Sequence, residues 1–472
     1  MVPSQSQSDS AASGSPALDP KAAGAVAARQ VALAVLRAVH KGAYADVALH
    51  RALAPSGLSN LDRAFVTELV YGSVRRQRTL DALMDQLGKK KAHQQPAEMR
   101  AILHLGLYQL RYLSSVPASA AVNTSVELAK ESGLNRLSGV VNGILRQYLR
   151  LQEQAAALAH DLLVLPSDPV AALGVQHSYP DWIVQLWRDC LSLEETESLC
   201  RWFNQAPHID LRVNACRTSV DIVEAAFQAA GVKTERLVPL PTGLRLTNHI
   251  GSLTALPGYE EGWWSVQDAS AQLVAYMVNP QPEEVVIDAC AAPGGKATHL
   301  AELMGDTGTV WACDRTTSRL KKIRTNSSRL QLNSLKTYTG DSRDLPRFHG
   351  QADRVLVDAP CSGLGTLHRH ADARWRQSPE SIQALPELQL ALLTEAARWL
   401  KPQGSLVYAT CTLNPQENQG VVKSFLAQNP EWRIQPPEAS SPVAPWVTEQ
   451  NWVEVWPHRH NMDGFFMVAL TR

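Results

Sequence analysis

The stretch VVIDACAAPGGKATHL, residues 285–300, decides the fold that we predict for the second half of this chain. Its apolar start is typical of a buried strand, and a helix is predicted to begin at the pair Gly294 and Gly295. Glycines there let the backbone come close to a ligand, and the first N–H groups of the helix are free to bind it. The pattern is neither GxGxxG nor a Walker motif ending in GKS or GKT, so it predicts neither a dinucleotide site nor a P-loop.

Strands and helices alternate in the chain from residue 264 onward. The apolar runs predict strands at 284–288, 309–314, 354–358, 404–410, 453–456 and 465–470. Alternation of this kind predicts a mostly parallel sheet covered by helices, here an α/β Rossmann-like catalytic domain over residues 261–472. In such an open sheet, ligands bind outside the carboxyl ends of the strands.

Two further domains and a tail precede this one, so the chain is predicted to be multidomain. Residues 24–165 repeat apolar residues at helical spacing without strand-like alternation, which predicts an all-α bundle. Residues 175–260 begin as helix and continue as short strands with one helix, which predicts a small α+β ferredoxin-like module of a kind that often binds RNA. Residues 1–23 are rich in Ser, Ala, Gln, Gly and Pro, which predicts a disordered tail.

The composition excludes several classes of protein. The 472 residues carry 45 basic and 45 acidic side chains, so the overall charge gives no indication of a polyanionic partner. Seven cysteines without a CxxC pair argue against both a secreted disulfide scaffold and a zinc ribbon. No apolar run is long enough to span a bilayer, and the start of the chain does not read as a secretory signal. We therefore expect a cytoplasmic protein without a membrane partner.

Two groups of basic side chains have alternative interpretations. A basic cluster in the helical bundle is either a solvated face or a phosphate-contacting patch, and the sequence favours neither. The cluster comprises Arg75, Arg76, Arg78, Lys89, Lys90, Lys91 and Arg100. Two His-x-His pairs, 368/370 and 458/460, lack a third ligand, so we predict RNA contact or solvation for them rather than a metal site.

Acidic residues close the neighbouring strands of the predicted sheet. Asp314 follows the strand after the glycine-rich turn, where a carboxylate can accept hydrogen bonds from both hydroxyls of a ribose. Asp341 follows the next strand and can reach an adenine amino group. Asp358 closes the fourth strand. The combination of these carboxylates with the glycine-rich turn predicts a nucleoside-binding site.

Two cysteines follow neighbouring strands at the same edge, Cys361 in DAPCSGLGT and Cys411 in YATCT. Four other cysteines, Cys190, Cys200, Cys216 and Cys313, are predicted to be core residues, but strand-end loops over a ligand face are usually exposed and functional. A thiolate that adds to carbon 6 of a cytosine makes carbon 5 nucleophilic enough to attack a sulfonium methyl group. That reaction also needs an acid near N3 of the base, and Asp358 is placed to serve it.

These motifs resemble the Sun family of rRNA cytosine-5 methyltransferases, which is also called Fmu or RsmB. DACAAPGGKATHL, DAPCSGLGTLHRHADARW and YATCTLNPQEN carry the resemblance, and DGFFMVAL near the end resembles the family's last strand. The match is close over residues 264–472. The helical segment before it is similar to the NusB-like RNA-binding domain of that family.

The resemblance implies a role for each site residue. Cys411 would be the nucleophile, Cys361 would assist release of the methylated RNA, and Asp358 would lie near the methionine part of S-adenosylmethionine. Asp314 would bind its ribose and Asp341 would lie near its adenine. The rest of the cofactor site would be Cys290, Ala291, Ala292, Pro293, Gly294, Gly295 and Lys296. The implied substrate is the cytidine conventionally numbered 967 of small-subunit rRNA, as naked RNA or in an early particle, and we expect a monomer without a metal.

Three alternatives remain. The first is a methyltransferase of other specificity, such as tRNA cytosine-5, against which the NusB-like domain argues. The second is a non-catalytic RNA-binding or antitermination factor with a vestigial cofactor site, against which the intact Cys361, Cys411 and Asp358 argue. The third is a small-molecule methyltransferase, which leaves the two front domains without a purpose.

Overall fold

Apolar residues at helical spacing form a bundle of helices in the first part of the chain. The structure is a computed structural model that describes residues 20–248 and 251–472, so the predicted tail lies outside the described residues as far as residue 19. The chain divides into two compact units, Met1–Val164 and Leu165–Arg472. The helices described in the first unit are α1 (Pro20–His40), α2 (Ala45–Leu53), α3 (Asn60–Arg75), α4 (Gln77–Leu87), α5 (Ala97–Tyr112), α6 (Ala118–Glu131) and α7 (Ser138–Ala157).

Helix α5 lies at the centre of this bundle. It packs against α1, α3, α4, α6 and α7, and every residue from Ala101 to Gln109 is buried. Gly106 allows a close approach, because a Cβ at that position would lie 2.9 Å from the side chain of Leu145. No strand interrupts the part of the bundle that the structure describes, so the predicted all-α fold is confirmed.

The basic cluster of the bundle does not form one surface. Arg75 is only 8% exposed, and both guanidinium arms of Arg100 are hydrogen-bonded to Asp81. The guanidinium of Arg76 lies 4.8 Å from the ring centre of Tyr112. The exposed residues of the cluster are the three consecutive lysines Lys89, Lys90 and Lys91. These lysines are the part of the cluster with the greatest solvent access, which phosphate contacts require.

The second unit begins with a helical segment and a small sheet. The helices are α8 (Pro169–His177), α9 (Asp181–Arg188) and α10 (Leu193–Trp202), and the sheet region contains β1 (Ile209–Val213), α11 (Val220–Ala229), β2 (Thr234–Arg236), β3 (Gly243–Leu246) and β4 (Trp264–Val266). The strand order is β2-β3-β1-β4 with antiparallel pairs throughout, which is the ferredoxin-like order predicted. The sheet extends past residue 260, where we expected the module to end, because Trp264 is fully buried against Phe227.

The larger sheet follows the alternation seen in the sequence. Its elements are α12 (Ala269–Val278), β5 (Val285–Asp288), α13 (Gly295–Leu303), β6 (Thr309–Asp314), α14 (Thr317–Leu330), β7 (Leu335–Thr339), β8 (Ala352–Asp358), α15 (Ala373–Arg376), α16 (Pro379–Gln383), α17 (Leu385–Arg398), β9 (Leu400–Thr410), α18 (Gln419–Gln428), β10 (Arg433–Gln435), β11 (Val453–Val455), α19 (Pro457–His460) and β12 (Phe465–Thr471). The strand order is β10-β12-β9-β8-β5-β6-β7, with β11 paired to β12. Strands β9 to β7 along this order are parallel, which confirms the predicted Rossmann-like class.

The sequence analysis missed one strand of this sheet and shortened another. Strand β10 has only three residues, two of them polar, so it carries no apolar pattern. Strand β9 begins at Leu400 rather than at residue 404, because a polar segment precedes its buried part. Among the described helices of the chain, none is long and apolar enough to cross a membrane.

Buried ion pairs join the small sheet to the larger one. Arg212 on β1 is fully buried and donates hydrogen bonds to Glu302 at 2.7 and 2.8 Å. It also donates to the carbonyl of Gly295 at 2.7 Å and to Thr298 at 3.0 Å. Burial raises the pKa of Glu302, and the charge of Arg212 opposes that shift. A side chain of the small module therefore holds the first turn of α13.

Replacing Arg212 by alanine should lower the free energy of unfolding of the second unit by about 3–5 kcal/mol, because Glu302 would stay buried without its counter-charge. Urea unfolding followed by tryptophan fluorescence measures this loss, since all 12 tryptophans lie after residue 181. Arg236→Ala is the matched control, because its ion pairs are exposed and such pairs contribute little. A loss for Arg212→Ala no larger than that of the control would contradict the prediction.

Candidate active site

The carboxyl ends of the parallel strands meet at one edge of the larger sheet, where a cavity of about 320 Å³ opens. Its walls come from the loops that follow β5, β6, β7, β8 and β9. Seven residues singled out from the sequence line it: Cys290, Ala292, Asp314, Asp341, Asp358, Cys361 and Cys411. The structure thus brings together residues that are up to 121 positions apart, from 290 to 411.

The glycine-rich turn forms one wall of the cavity. Gly294 has φ of 108°, a left-handed conformation that favours glycine, and a Cβ there would lie 3.0 Å from the side chain of Ile323. Ala291 donates its N–H to the carbonyl of Cys313 at 2.8 Å, and Arg319 donates to the carbonyl of Ala292 at 2.8 Å. These bonds hold the turn against strand β6. Ala291, Gly294 and the neighbouring Pro293 and Gly295 support the wall rather than line the cavity.

Two carboxylates face the cavity from the ends of β6 and β7. Asp314 is nearly buried, accepts the N–H of Thr316 at 2.8 Å and pairs with Arg319 at 3.0 Å. Asp341 pairs with Arg343 at 2.6 Å, and this hydrogen bond lowers the pKa of Asp341 to about 2. Asp341 is therefore charged at neutral pH and can accept hydrogen bonds from a ligand in the cavity.

Lys296 pairs with Asp358, which lines the cavity, and the buried Asp288 lies close to both. The Nζ of Lys296 lies 2.7 Å from an oxygen of Asp358 and 4.9 Å from the ring centre of Phe465. Asp288 is fully buried, and burial raises its pKa to about 8, with the charge of Asp358 acting in the same direction. Lys296 and Asp358 thus form the charged pair of the site, whereas Asp288 is largely protonated at neutral pH.

The two loop cysteines are in contact. The Sγ atoms of Cys361 and Cys411 are 3.4 Å apart, and both residues are partly exposed. The hydrogen bond from Cys361 lowers the pKa of Cys411, and the charge of Lys296 acts in the same direction. The same hydrogen bond, together with burial, raises the pKa of Cys361 well above its ordinary value. Of the two thiols, Cys411 is therefore the one that loses its proton more readily.

The sequence analysis did not single out Glu417, although it belongs to the same YATCTLNPQEN motif as Cys411. Glu417 is fully buried, and its carboxylate accepts hydrogen bonds from Ser362 and Asn414, which flank the two cysteines in sequence. Glutamate is rarely buried in proteins, and a sequence alone does not reveal burial. Its place three residues after Asn414 in the cysteine motif is the only signal that could have found it.

The predictions for one histidine and for two cysteines were wrong. His368 is not solvated or free to contact RNA: it is 2% exposed, its ring lies 4.4 Å from the ring of Trp202, and its Nδ1 lies 3.2 Å from an oxygen of Asp463. Cys190 and Cys216 are exposed rather than part of the core, because each follows the end of a helix or strand. In the part of the chain that the structure describes, no three His, Cys, Asp or Glu residues are grouped so that they could hold a metal ion.

Comparison with known families gives matches to all three predicted domains. The family described as 16S rRNA methyltransferase RsmB/F matches residues 275–471. The NusB family matches residues 26–150. The RsmF/B-like ferredoxin-like domain matches residues 179–251. The three matches follow the order of the bundle, the small sheet and the larger sheet.

Individual relatives match over nearly the whole chain. A probable ribosomal RNA small subunit methyltransferase B of Synechocystis sp. is 49% identical over 95% of this chain and 100% of the relative. The protein of the same name from Bacillus subtilis is 33% identical over 94% of this chain and 98% of the relative. Among solved structures, that of PH0851 matches with a TM-score of 0.78 and 24% identity over 95% of this chain and 99% of that chain.

Replacing Lys296 by methionine should raise the pKa of Cys411, because the ammonium group stabilises the thiolate. We expect the pH at which Cys411 becomes reactive toward iodoacetamide to rise by about one unit, which is typical for the loss of one nearby charge. Peptide mapping by mass spectrometry measures the modification of Cys411 as a function of pH. Lys401→Met is the matched control, since Lys401 pairs with Asp353 near the opposite end of β8. Identical pH profiles for the two variants would contradict the prediction.

Proposed function

This chain belongs to the ribosomal RNA small subunit methyltransferase B family, and we propose that it transfers a methyl group from S-adenosylmethionine to carbon 5 of a cytidine in small-subunit rRNA. The observation that carries the proposal is the contact of two cysteine sulfurs, 3.4 Å apart, beside a cavity with carboxylates at the ends of three parallel strands. The target that we propose is the cytidine conventionally numbered 967.

The residues around the cavity fit S-adenosylmethionine. The missing Cβ of Gly294 lets the turn that forms the cavity wall pack against Ile323, and Asp314 and Asp341 supply acceptors for a ribose and an adenine. We propose that the turn from Cys290 to Lys296 holds the cofactor, with Asp358 near its methionine part. When bound, S-adenosylmethionine supplies an electrophilic methyl group on a positively charged sulfur.

We propose that Cys411 activates the cytosine by a covalent bond. Its thiolate would attack carbon 6 of the base, and carbon 5 would then be nucleophilic. Asp358, hydrogen-bonded to Lys296 at 2.7 Å, would pass a proton of that pair to N3 as the thiolate adds. Carbon 5 would then take the methyl group, and the sulfonium sulfur would leave as a neutral thioether. Loss of the carbon 5 proton to solvent, departure of the Cys411 thiolate from carbon 6 and return of the N3 proton to the Lys296–Asp358 pair would restore the aromatic ring. The lowered pKa of Cys411 supports both the attack and the departure of its thiolate.

Cys361 is proposed to assist release of the methylated RNA. Its Sγ lies 3.4 Å from that of Cys411, and its raised pKa means that it keeps its proton more readily than Cys411 does. A thiol in that position can act on the covalent intermediate between Cys411 and the RNA, although it does not itself bond to the base. The proposed roles of the two cysteines therefore differ, and separate substitutions can test them.

Cys411→Ala should abolish methyl transfer to a small-subunit rRNA transcript while leaving the affinity for S-adenosylmethionine nearly unchanged, because the nucleophile is lost and the turn is not. Cys361→Ala should instead accumulate a covalent protein–RNA adduct on denaturing gels. Cys216→Ala is the control for cysteine loss, since Cys216 is exposed and outside the cavity. An adduct with Cys411→Ala, together with no reaction for Cys361→Ala, would reverse the two roles.

The identity of the methylated nucleotide can be tested separately. Bisulfite sequencing of rRNA from cells with and without the gene should show loss of one methylated cytidine in the small-subunit rRNA. Loss of a methylated cytidine in tRNA, with rRNA unchanged, would replace the proposed substrate by the tRNA alternative.

Reversing the charges of Lys89, Lys90 and Lys91 to Glu should weaken RNA binding, because these lysines are the exposed part of the basic cluster. If all three contact phosphates, the slope of log K against log salt concentration should fall by about 2. Binding measured at several salt concentrations gives this slope, and Lys41→Glu reverses an exposed charge elsewhere in the bundle as control. Binding that is unchanged at low and high salt would make the lysines a solvated face.

A further inference from the structure

Glu417 lies between the two cysteine loops with no solvent exposure. One of its carboxylate oxygens accepts the backbone N–H of Ser362 at 2.8 Å and the side-chain amide of Gln389 at 3.0 Å. The other oxygen accepts the hydroxyl of Ser362 at 2.5 Å and the side-chain amide of Asn414 at 3.0 Å. Four hydrogen bonds from three residues thus converge on one buried carboxylate.

These hydrogen bonds join the segments that carry the cysteines. Ser362 follows Cys361 directly, and its hydroxyl lies 2.7 Å from that of Thr412, which follows Cys411 directly. The amide of Gln389 also donates to the carbonyl of Pro360 at 3.0 Å, on the other side of Cys361. Because the residues next to both cysteines are held by one network, the carboxylate controls how closely the two sulfur atoms approach.

Glu417 acts on the cysteines through its negative charge as well as through its hydrogen bonds. No ion pair joins this carboxylate to a basic side chain in residues 20–248 and 251–472, so its partners balance its charge only through hydrogen-bond dipoles. The charge adds to the effects of Cys411 and of burial in raising the pKa of Cys361. It opposes ionisation of Cys411 too, where the hydrogen bond from Cys361 and the charge of Lys296 favour the thiolate and the charge of Asp358 opposes it. The hydrogen bond between the two sulfurs, which this network holds in contact, therefore favours a proton on Cys361.

We propose that Glu417 is a positioning residue that holds the two sulfur atoms in contact and keeps their shared proton on Cys361, so that Cys411 is the thiolate. The proposal rests on the proposed function only for the use of Cys411 as nucleophile. The distribution of the proton between the two sulfurs is a property of the protein alone and can be measured without RNA.

Alkylation of the full-length protein by iodoacetamide tests the proton distribution directly. Peptide mapping gives the ratio of modification at Cys411 to that at Cys361, and we expect Cys411 to be strongly preferred in the unmodified protein. In Glu417→Gln the ratio should fall about tenfold, which corresponds to a change of one pKa unit between the two thiols. Glu431→Gln makes the same chemical change at an exposed glutamate and should leave the ratio unchanged. An unchanged ratio in Glu417→Gln would overturn the proposal.

Two further variants separate the charge of Glu417 from its geometry. Glu417→Asp keeps the negative charge, so it should keep the preference for Cys411 even where the shorter side chain slows methyl transfer. Ser362→Ala removes the hydrogen bonds of one hydroxyl, to Glu417 and to Thr412, and leaves the carboxylate, so it should slow methyl transfer about tenfold or more while the preference remains. Loss of the preference in Glu417→Asp, or full activity in Ser362→Ala, counts against the proposal. If tryptophan fluorescence shows that Glu417→Gln does not fold, Glu417→Asp and Ser362→Ala still test the proposal.

Kinetics then show whether Glu417 acts on the reaction or on the fold. A positioning role predicts that Glu417→Gln lowers kcat about tenfold or more with little change in the KM for S-adenosylmethionine, because the cavity wall from 290 to 296 is untouched. A parallel loss of cofactor affinity would indicate a general disturbance of the site and would contradict the proposal. If Cys411→Ala stays active, the proposed nucleophile is wrong, yet the alkylation ratio still decides the role of Glu417.

Discussion

The parallel register of β8 (Ala352–Asp358) against β9 (Leu400–Thr410) is the constraint on which the site depends. Asp358 lies beside Ala409, and the hydrogen bond from Ala359 to the carbonyl of Ala409 continues the ladder to the very edge of the sheet. The loops that follow β8 and β9 therefore leave the sheet at the same level. Two cysteines that are 50 positions apart in sequence reach a separation of 3.4 Å for this reason. A slip of one residue between these strands would move one sulfur out of contact and turn the side chains of the slipped strand to the other face.

Buried charges fix the surroundings of this edge within the second unit. Arg212 reaches from the small sheet to Gly295 in the glycine-rich turn, and Arg245 pairs with Asp210 at 2.7 Å. Arg369, in the loop after β8, binds both Asp268 and Asp463. Ion pairs of this kind contribute modest net stability but penalise any arrangement in which one partner is left alone. The small sheet is thereby held to the cofactor turn, and the loop that carries Cys361 is held to the start of the last strand.

One lysine and several carboxyl groups determine how readily the groups of the site ionise. Lys296 lies against Asp358 and near Cys411, whereas Glu417 lies on the side of Cys361. The hydrogen bond between the two sulfurs lowers the pKa of Cys411 and raises that of Cys361, so two chemically identical groups differ in their tendency to ionise. Asp288 remains protonated below them because burial raises its pKa to about 8. The division of roles that we propose for the two cysteines thus follows from their surroundings and not from the thiols themselves.

The sequence by itself determined the class of each domain and the motifs at the ends of β5, β6, β8 and β9, because hydrophobic periodicity and glycine placement are local properties of the chain. It also identified the family through motifs that lie close together in sequence. Only the tertiary structure decided that Glu417 is buried under both cysteine loops, that His368 packs on Trp202, and that Trp264 completes the small sheet. It likewise divided the basic cluster of the bundle into paired arginines and exposed lysines. Burial and partnership depend on residues that are distant in the chain, and a polar residue in a motif looks the same in sequence whether it faces solvent, a ligand or the core.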